Sequence, residues 1–434
     1  MKTTVQIAAE LQGYDPHALP AETVSAFLDQ LVEPLASAEG VGLLDALGRV
    51  LSEDVLSPIS VPPHDNSAMD GFALRGADLG AGWPLRLRVA GTALAGAAWR
   101  GRLAPGECVK IMTGALMPDG LDTVVPQELT QTVGDTVIVP ADAVRPGDNC
   151  RKLGEDLRAG QPALRRGQIV TPAALGLLAS LGLASVPVVR RLRVAYFSTG
   201  DEILSLGQPP REGAVYDSNR YTVFGLLTRL GVEVIDLGVV RDDPAALQTA
   251  FVAAAAQADA IITSGGVGVG EADHTRAMMH ELGDIVFWRI AMRPGRPMAV
   301  GRIARPCGGR DDGGQTSHAI LFGLPGNPVA VMVTFLAFVR PALLRMMGAR
   351  PQLPVLVCAI SEEHLRKKPG RTEYQRGIVT PRIDGRLTVR TTGNQGSGVL
   401  SSMVRANGLI VLGHEQGNVA PGDEVRVMMF EGVI

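Results

Sequence analysis

The sequence is poor in aromatic residues, in cysteine and in net charge, and each shortage excludes a class of protein. Aromatic residues make up 4% of the 434 residues, so any core consists mainly of Ala, Val, Leu and Ile. Forty-one Lys and Arg against 44 Asp and Glu give a net charge of −3, so we expect no nucleic-acid partner. The four cysteines include no Cys-x-x-Cys pair, which argues against a zinc site and for a reducing, cytoplasmic location.

Uncharged stretches long enough to cross a membrane are also scarce. Residues 169–189 and 319–339 have the length, but both carry signals for shorter elements. Thr171 and Pro172 are typical of a helix start, and two prolines within 324–328 separate a strand from a helix. We therefore expect no membrane span and, because the N-terminus lacks a long apolar run, no signal peptide.

Glycine and proline are abundant, at 52 and 29 residues, and predict many short elements. The expected fold class is multidomain α/β and β. Residues 1–20 look poorly ordered. We then expect a helical and linker domain (21–58 and 159–190), a β-rich inserted domain (59–158), a central α/β domain with a mostly parallel sheet (191–348) and a C-terminal small β-barrel-like domain (349–434).

Individual elements follow from periodicity and turn signals. A helix at 21–35 is expected to pack on the α/β domain, and a second helix is expected to begin at residue 41 and to lead into an extended stretch. In the inserted domain, strands are expected at 85–90, 108–112, 123–126 and 136–139. In the α/β domain, strands at 192–197, 232–240, 260–263 and 319–322 alternate with helices at 221–230, after 243, at 274–282 and at 329–347, whereas 304–317 looks like a surface insertion.

A glycine-rich loop follows the third strand of the α/β domain. Gly265, Gly266 and Gly268 let backbone N–H groups approach a phosphate closely, at the entry to a helix whose dipole favours anions. The spacing differs from that of a P-loop. A plain tight turn is the alternative interpretation.

Charged residues follow the predicted strands at the same edge of the sheet. This is the edge at which parallel sheets bind ligands, outside the carboxyl ends of the strands. Glu202, Asp242 and Asp273 are candidate Mg²⁺ ligands, although each acid is also placed as a helix cap would be. Arginines of the same edge offer positive charge for an oxyanion, and the 324–328 turn, with Pro325, Asn327 and Pro328, directs a helix N-terminus toward it. The three arginines are Arg289, Arg293 and Arg296.

Polar motifs also occur outside the α/β domain. Residues 65–71, 110–115 and 154–156 lie beside predicted strands of the inserted domain, and residues 375–377 and 395–397 lie in the last domain. Asp65 and Asp70 have no evident partner in their own domain. An ordinary turn is the alternative for each motif.

Together these motifs resemble the molybdopterin molybdenumtransferases, the MoeA proteins that the E domain of gephyrin also represents. The resemblance runs from about residue 20 to the C-terminus and also includes residues 199–202, 217–219, 264–273 and 324–328. It implies an elongated homodimer that inserts molybdate into adenylylated molybdopterin, with Mg²⁺-dependent release of AMP. Other proteins of molybdenum cofactor biosynthesis are possible partners.

The resemblance also implies functional positions. They fall on Asp70, Thr113, Asp156, Glu202, Asp242, Asp273, Pro325, Pro328, Arg376 and Ser397. The sequence departs from the family at Gly268, where serine is common, and at Arg289, Arg293 and Arg296, where lysine is common. Arginine keeps the positive charge of lysine but presents a planar fork of donors instead of a point charge. Anion binding is therefore still expected, and the choice between molybdate and tungstate is left open. The alternative functions are a molybdopterin adenylyltransferase, whose related domain has a similar glycine loop, and a non-catalytic scaffold of the gephyrin type.

Overall fold

The computed structural model describes residues 2–80, 84–266, 279–306, 318–351 and 354–430. Three six-stranded sheets organise this part of the chain. Its helices are α1 (Thr4–Glu10), α2 (Ala21–Leu31), α3 (Pro172–Ser180), α4 (Ser218–Leu230), α5 (Pro244–Gln257), α6 (Pro328–Met346, with a π-helical turn at Phe335–Val339) and α7 (Ser401–Arg405).

The N-terminal segment differs from its sequence prediction in two places. Poor order was expected for residues 1–20, but α1 is held by a capping box between Thr3 and Gln6, and Ile7 and Leu19 are fully buried. The expected helix from residue 41 is also wrong. Strand β1 (Ala38–Gly42) occupies this region, a 3₁₀ turn and β2 (Val55–Leu56) follow, and Gly48 at φ 75° prevents a continuous helix.

The inserted domain has the predicted β structure. Its main sheet has the strand order β7-β4-β6-β5-β9-β8, and alternate residues of β4 face two different cores, as the two-residue period of a strand requires. The strands are β3 (Asn66–Ser67), β4 (Gly71–Leu74), β5 (Leu85–Ala93), β6 (Glu107–Ile111), β7 (Thr123–Pro126), β8 (Gln131–Val133), β9 (Thr136–Val139) and β10 (Cys150–Arg151); β11 (Pro162–Leu164) and β12 (Ser185–Val189) follow and pair back onto β2 and β1.

The α/β domain has a six-stranded sheet in the order β16-β13-β17-β21-β20-β18. The first four strands are parallel, which confirms the mostly parallel sheet. Helices α4 and α6 cover one face together with α2, and α5 covers the other. The strands are β13 (Arg193–Thr199), β14 (Ile203–Leu204), β15 (Val215–Tyr216), β16 (Glu233–Val240), β17 (Ala260–Ser264), β18 (Gly283–Arg289), β19 (Met292–Arg293), β20 (Pro297–Ala304) and β21 (His318–Leu324).

The two edge strands β20 and β18 bring a further loop to the carboxyl edge of the sheet. Strand β20 is antiparallel to β21, and β18 is antiparallel to β20, so β18 runs in the same direction as β21. Arg289 at the end of β18 and the connection from 290 to 296 therefore lie at the carboxyl edge. Most of the predicted 274–282 helix and of the 304–317 insertion lies outside the described residues.

The C-terminal domain is a closed five-stranded barrel, as predicted. Strand β23 pairs with both β24 and β25, which closes the sheet on itself, and β19 of the α/β domain adds to β23. The strands are β22 (Leu356–Ser361), β23 (Thr372–Pro381), β24 (Leu387–Thr391), β25 (Gly408–Leu412) and β26 (Glu424–Met429).

Helix α6 is long and apolar enough to cross a membrane, and it is the one such helix in the described part of the chain. However, 78% of its most apolar window is buried inside the protein. Val329, Val333 and Leu336 belong to the core shared with the sheet and α2. This burial is typical of the central helix of a globular core.

The buried histidine of β21 should make folding stability fall in acid. Burial, and then Arg302 and Arg305, lower the pKa of His318 from 6.5 to about 4. The unfolded chain binds the proton more readily, so the stability that neutral His318 contributes is complete above pH 6.5 and is lost as the pH falls toward 4. The loss is about 3 kcal/mol at most. Urea unfolding across this range should show a shallower pH dependence for His318→Gln, and exposed His17→Gln should retain the wild-type slope.

Candidate active site

The strand order places a crevice between two loops of the α/β domain. Strand β13 comes first in the chain, yet β16 lies on one side of it and β17 on the other, so the direction of winding reverses between β13 and β17. Ligands of open α/β sheets bind at this switch point, outside the carboxyl ends of the strands. Thr199 ends β13 and Ser264 ends β17, and the predicted glycine loop begins there.

The glycines of this loop are required by its geometry. Gly265 has φ 90°, and a Cβ there would overlap the carbonyl oxygen of Thr199. Gly266 has φ 65° and faces the Thr199 methyl group, while the Gly265 N–H donates to the Leu324 carbonyl at 3.2 Å. These contacts hold the backbone of the loop against both neighbouring strands. Gly268 lies outside the described residues.

Acidic side chains surround the β16–β13 end of the edge. Glu202 and Asp242 are both exposed, and the Asp242 N–H lies 3.4 Å from a carboxylate oxygen of Asp201. Asp243, not Asp242, caps α5 through the N–H of Ala246, so capping does not explain Asp242. Asp273 lies outside the described residues, among which no three metal-binding side chains form a group.

Basic side chains lie toward the other end of the same edge. Arg289 is half-buried, Arg293 and Arg296 are exposed, and none of the three forms an ion pair within the described ranges. Strands β16 and β18 are five strand spacings apart, or about 24 Å. The acids and arginines therefore lie at opposite ends of the edge, with the glycine loop between them.

A cavity of about 290 Å³ adjoins the arginines, at the junction with the barrel. Arg293 lines it from the α/β domain and Arg376 from β23. Arg376 is 1% exposed and donates to Ser402 Oγ at 3.0 Å and to the Gly396 carbonyl at 2.9 Å. Burial and then Arg293 lower the pKa of Arg376 to about 10, and no carboxylate opposes that shift. Glu363 and Glu373 also line the cavity, and Glu373 pairs with Arg371, so the cavity combines charges of both signs.

The turn before α6 follows the carboxyl end of β21 and leads directly into the helix. Asn327 is the N-cap residue, but its side chain makes no capping bond, and Pro325 is buried. The Val329 N–H donates at 3.1 Å to the carbonyl of Ser397, from the C-terminal domain. That bond satisfies part of the helix N-terminus and docks the barrel loop onto it, so Pro328 and Ser397 come together.

The candidate residues of the inserted domain form their own cluster. Asp70 Oδ1 accepts hydrogen bonds from the N–H and the hydroxyl of Thr113, both at 2.7 Å, and these bonds lower the pKa of Asp70. Asp65 pairs with Lys152 at 3.0 Å, which corrects the expectation that these acids lack partners in their own domain. Asp156 is exposed. Within the described residues, no hydrogen bond or ion pair joins Asp70, Thr113 or Asp156 to the α/β edge.

Sequence reasoning missed a buried polar network beneath the glycine loop. The Tyr196 hydroxyl lies 2.8 Å from Ser198 Oγ and 2.7 Å from Ser264 Oγ, and burial raises the pKa of Tyr196. Asn219 Nδ2 donates to the Gly326 carbonyl at 2.7 Å, which ties α4 to the turn before α6. The available signal was five hydroxyl residues in the later parts of two neighbouring, mostly apolar strands: Tyr196, Ser198, Thr199, Thr263 and Ser264.

The fold and these sites define a multidomain α/β protein with a glycine loop at a switch point of the sheet and an arginine-lined cavity at a domain junction. Family models match nearly the whole chain: the MoeA N-terminal region (domain I and II) at 19–182, the probable molybdopterin binding domain at 195–345 and the MoeA C-terminal region (domain IV) at 359–430.

Relatives agree with this assignment. A molybdopterin molybdenumtransferase of Haemophilus influenzae is 41% identical over 94% of this chain and 98% of its own length, and one of Nostoc sp. is 35% identical over 96% and 95%. The crystal structure of a molybdopterin biosynthesis moeA protein from Pyrococcus horikoshii OT3 has a TM-score of 0.78 at 27% identity, covering 95% of this chain and 100% of that one. The chain belongs to the molybdopterin molybdenumtransferase (MoeA) family, a family of transferases in molybdenum cofactor biosynthesis.

Proposed function

We propose that this protein inserts molybdate into adenylylated molybdopterin and releases AMP. The observation that carries this proposal is the arrangement of two complementary sites on one edge: a glycine loop suited to a phosphate, and a cavity with Arg293 and Arg376 suited to an oxyanion. The adenylyltransferase alternative explains the glycine loop but assigns no role to the cavity at the barrel junction. Family relatives that align with the inserted and barrel domains also favour the transferase.

In the proposed mechanism, the chain positions two reactants. Backbone N–H groups that follow Gly265 in the loop bind the phosphate, and Arg376 with Arg293 holds molybdate near the pterin. The two dithiolene thiols of the pterin bind molybdenum, and their protons leave with one molybdate oxygen as water. A second water molecule cleaves the phosphoanhydride and releases AMP, so no nucleophilic side chain is required. The positive charges of Arg293 and Arg376 stabilise the anion while the sulfurs bind and the oxygen leaves as water.

Magnesium is part of this proposal through Glu202 and Asp242. Mg²⁺ commonly takes one or two carboxylates and completes its shell with water and substrate phosphate, and the exposed acids of the adjoining β13 and β16 loops fit that donor set. Asp273 is the proposed third ligand. When bound, the ion would neutralise negative charge on the phosphoryl group as AMP leaves.

The test is release of AMP from adenylylated molybdopterin by the purified protein. We expect release that requires both molybdate and Mg²⁺, and ATP should not be consumed with metal-free pterin. ATP consumption would indicate the adenylyltransferase. Absence of AMP release with all components present would contradict the proposal.

Arg293 should set the concentration of molybdate that the protein needs. One charge about 4 Å from an anion in a partly wet site is worth roughly 4 kcal/mol before desolvation, and a quarter of that changes affinity about fivefold. Arg293→Ala should therefore raise half-saturating molybdate about fivefold, and Arg293→Lys should raise it less. The exposed Arg382→Ala in the barrel is the control. Equal half-saturation for all variants would contradict the anion-binding role.

We also propose that the protein is a cytoplasmic homodimer. Three cysteines of the described residues, Cys108, Cys150 and Cys358, are free thiols, which suits a reducing compartment. Among the described residues, no hydrogen bond or ion pair joins Asp70, Thr113 or Asp156 to the α/β edge, and a second copy offers a way to complete the site. Sedimentation at micromolar concentration should give the mass of a dimer, and a monomer mass would contradict this proposal.

A further inference from the structure

Two buried side chains at the start of α4 each form hydrogen bonds through only one of their two terminal polar atoms. Asp217 is 3% exposed and caps the helix, because its Oδ1 accepts from the Arg220 N–H at 3.0 Å. Asn219 is 8% exposed and donates through Nδ2 to Gly326. The remaining oxygens, Asp217 Oδ2 and Asn219 Oδ1, accept no hydrogen bond and are closed to solvent.

Capping does not explain this pair. Serine or threonine would satisfy the helix N-terminus equally well without burying a second acceptor. An unpaired buried acceptor loses its bonds to water and gains none in return, and the loss is larger for a carboxylate. Such acceptors are rare in folded proteins, and a ligand that donates hydrogen bonds is one way to satisfy them.

The pair lies in the crevice that the strand order defines. Asn219 Nδ2 is 3.5 Å from Ser264 Oγ, directly before the glycine loop, and its bond to Gly326 ties it to the turn before α6. At the neighbouring strand end, Thr199 is 6% exposed and its Oγ1 also lacks a partner. Buried oxygen atoms without hydrogen-bond partners thus lie on two sides of the crevice.

The free atoms distinguish the two ring systems of the proposed substrate. Neither a carboxylate oxygen nor an amide oxygen donates, so the pair fits an edge with adjacent donors. The pterin ring has such an edge, with N3–H beside the 2-amino group. Adenine instead presents one amino donor next to a ring-nitrogen acceptor, which two acceptors do not match.

We propose that Asp217, assisted by Asn219, accepts hydrogen bonds from the 2-amino group and N3–H of the pterin and so selects the pterin ring at this position. This inference rests on the proposed function, because it takes the pterin nucleotide as the ligand. Both oxygens are closed to solvent, so binding requires a local opening of the turns around them.

The experiment measures the dissociation constants of two free probes, pterin and lumazine. Lumazine carries a carbonyl at C2 in place of the amino group, so an acceptor faces the acceptors of the protein. The wild-type protein should bind pterin at least about tenfold more tightly than lumazine, since a buried mismatch of this kind commonly costs that much. Absence of a pterin preference in the wild type would overturn the inference.

Asp217→Asn tests the residue itself. Asparagine caps helices as well as aspartate does, but its amide nitrogen opposes the pterin N–H groups. We expect the ratio of the lumazine dissociation constant to the pterin dissociation constant to fall toward one. The binding of AMP and the melting temperature should not change. Asp217→Ser keeps a cap without the second acceptor and should behave in the same way, so a folding defect of one variant leaves the other as the test. A folded Asp217 variant that still prefers pterin over lumazine as strongly as the wild type would overturn the inference.

A matched control separates this role from helix capping. Asp243→Asn makes the same substitution at the exposed N-cap of α5 and should leave the preference unchanged. The outcome is also independent of molybdenum transfer. A protein that prefers pterin through Asp217 but releases no AMP would support the subsite and contradict the proposed function. A protein that releases AMP but shows no preference for pterin would support the proposed function and contradict the subsite.

Discussion

Replacing Arg376 by alanine should lower the rate of AMP release by about 100-fold, the usual cost of removing a fixed charge or donor from a developing anion. The guanidinium is buried in the wall of the junction cavity, where water screens its charge weakly. Lysine at this position keeps the charge but loses the planar fork. The rate of AMP release by Arg376→Lys should therefore lie between the rates of the wild type and of Arg376→Ala. Initial rates at saturating molybdate measure the effect.

Arg376 also has a structural role, and the experiment must separate the two. Its bonds to Ser402 and to the Gly396 carbonyl hold the loop that reaches α6, so alanine leaves buried groups without partners. Added guanidinium ion should restore part of the activity of Arg376→Ala if the missing charge is the cause. Arg386→Ala, at an exposed ion pair of the same domain, should match wild type. A full rate in folded Arg376→Ala would contradict the role of the cavity.

Replacing Gly265 by alanine should lower AMP release more than tenfold and destabilise the α/β domain by about 2 kcal/mol or more. Alanine at φ 90° is strained, and its Cβ would overlap the Thr199 carbonyl, so the loop must move away from the strand that positions it. The phosphate-binding N–H groups move with it. Thermal unfolding and initial rates together measure the effect.

Gly326 provides the control for this substitution. It lies in the neighbouring turn, its φ is not in the left-handed region, and a Cβ there would meet nothing within 4 Å. Gly326→Ala should therefore retain nearly all stability. A Gly265→Ala protein as stable and active as Gly326→Ala would show that the close approach to Thr199 is not required.

Local patterns were sufficient for much of the α/β domain. The apolar runs that became β13, β16, β17 and β21 are each followed within two residues by glycine, proline or an acidic residue, and the helix caps at Asp243 and Gly231 lie where the chain marks them. Period and capping are properties of a few consecutive residues, so they can be read without knowledge of the fold. The same approach failed at residues 41–58, where pairing with distant strands decided the conformation: β1 pairs with β12, and β2 pairs with β11.

The sequence by itself determined the composition of the site: a glycine loop, acids and arginines after successive strands, and the motifs that resemble the MoeA family. Only the tertiary structure decided which of them meet. Strand order separates Asp242 from Arg293, barrel docking brings Arg376 beside Arg293, and the crevice leaves one oxygen of Asp217 without a donor. The physical reason is that burial and charge pairing depend on residues far apart in the chain, which contact one another only after the sheets have packed.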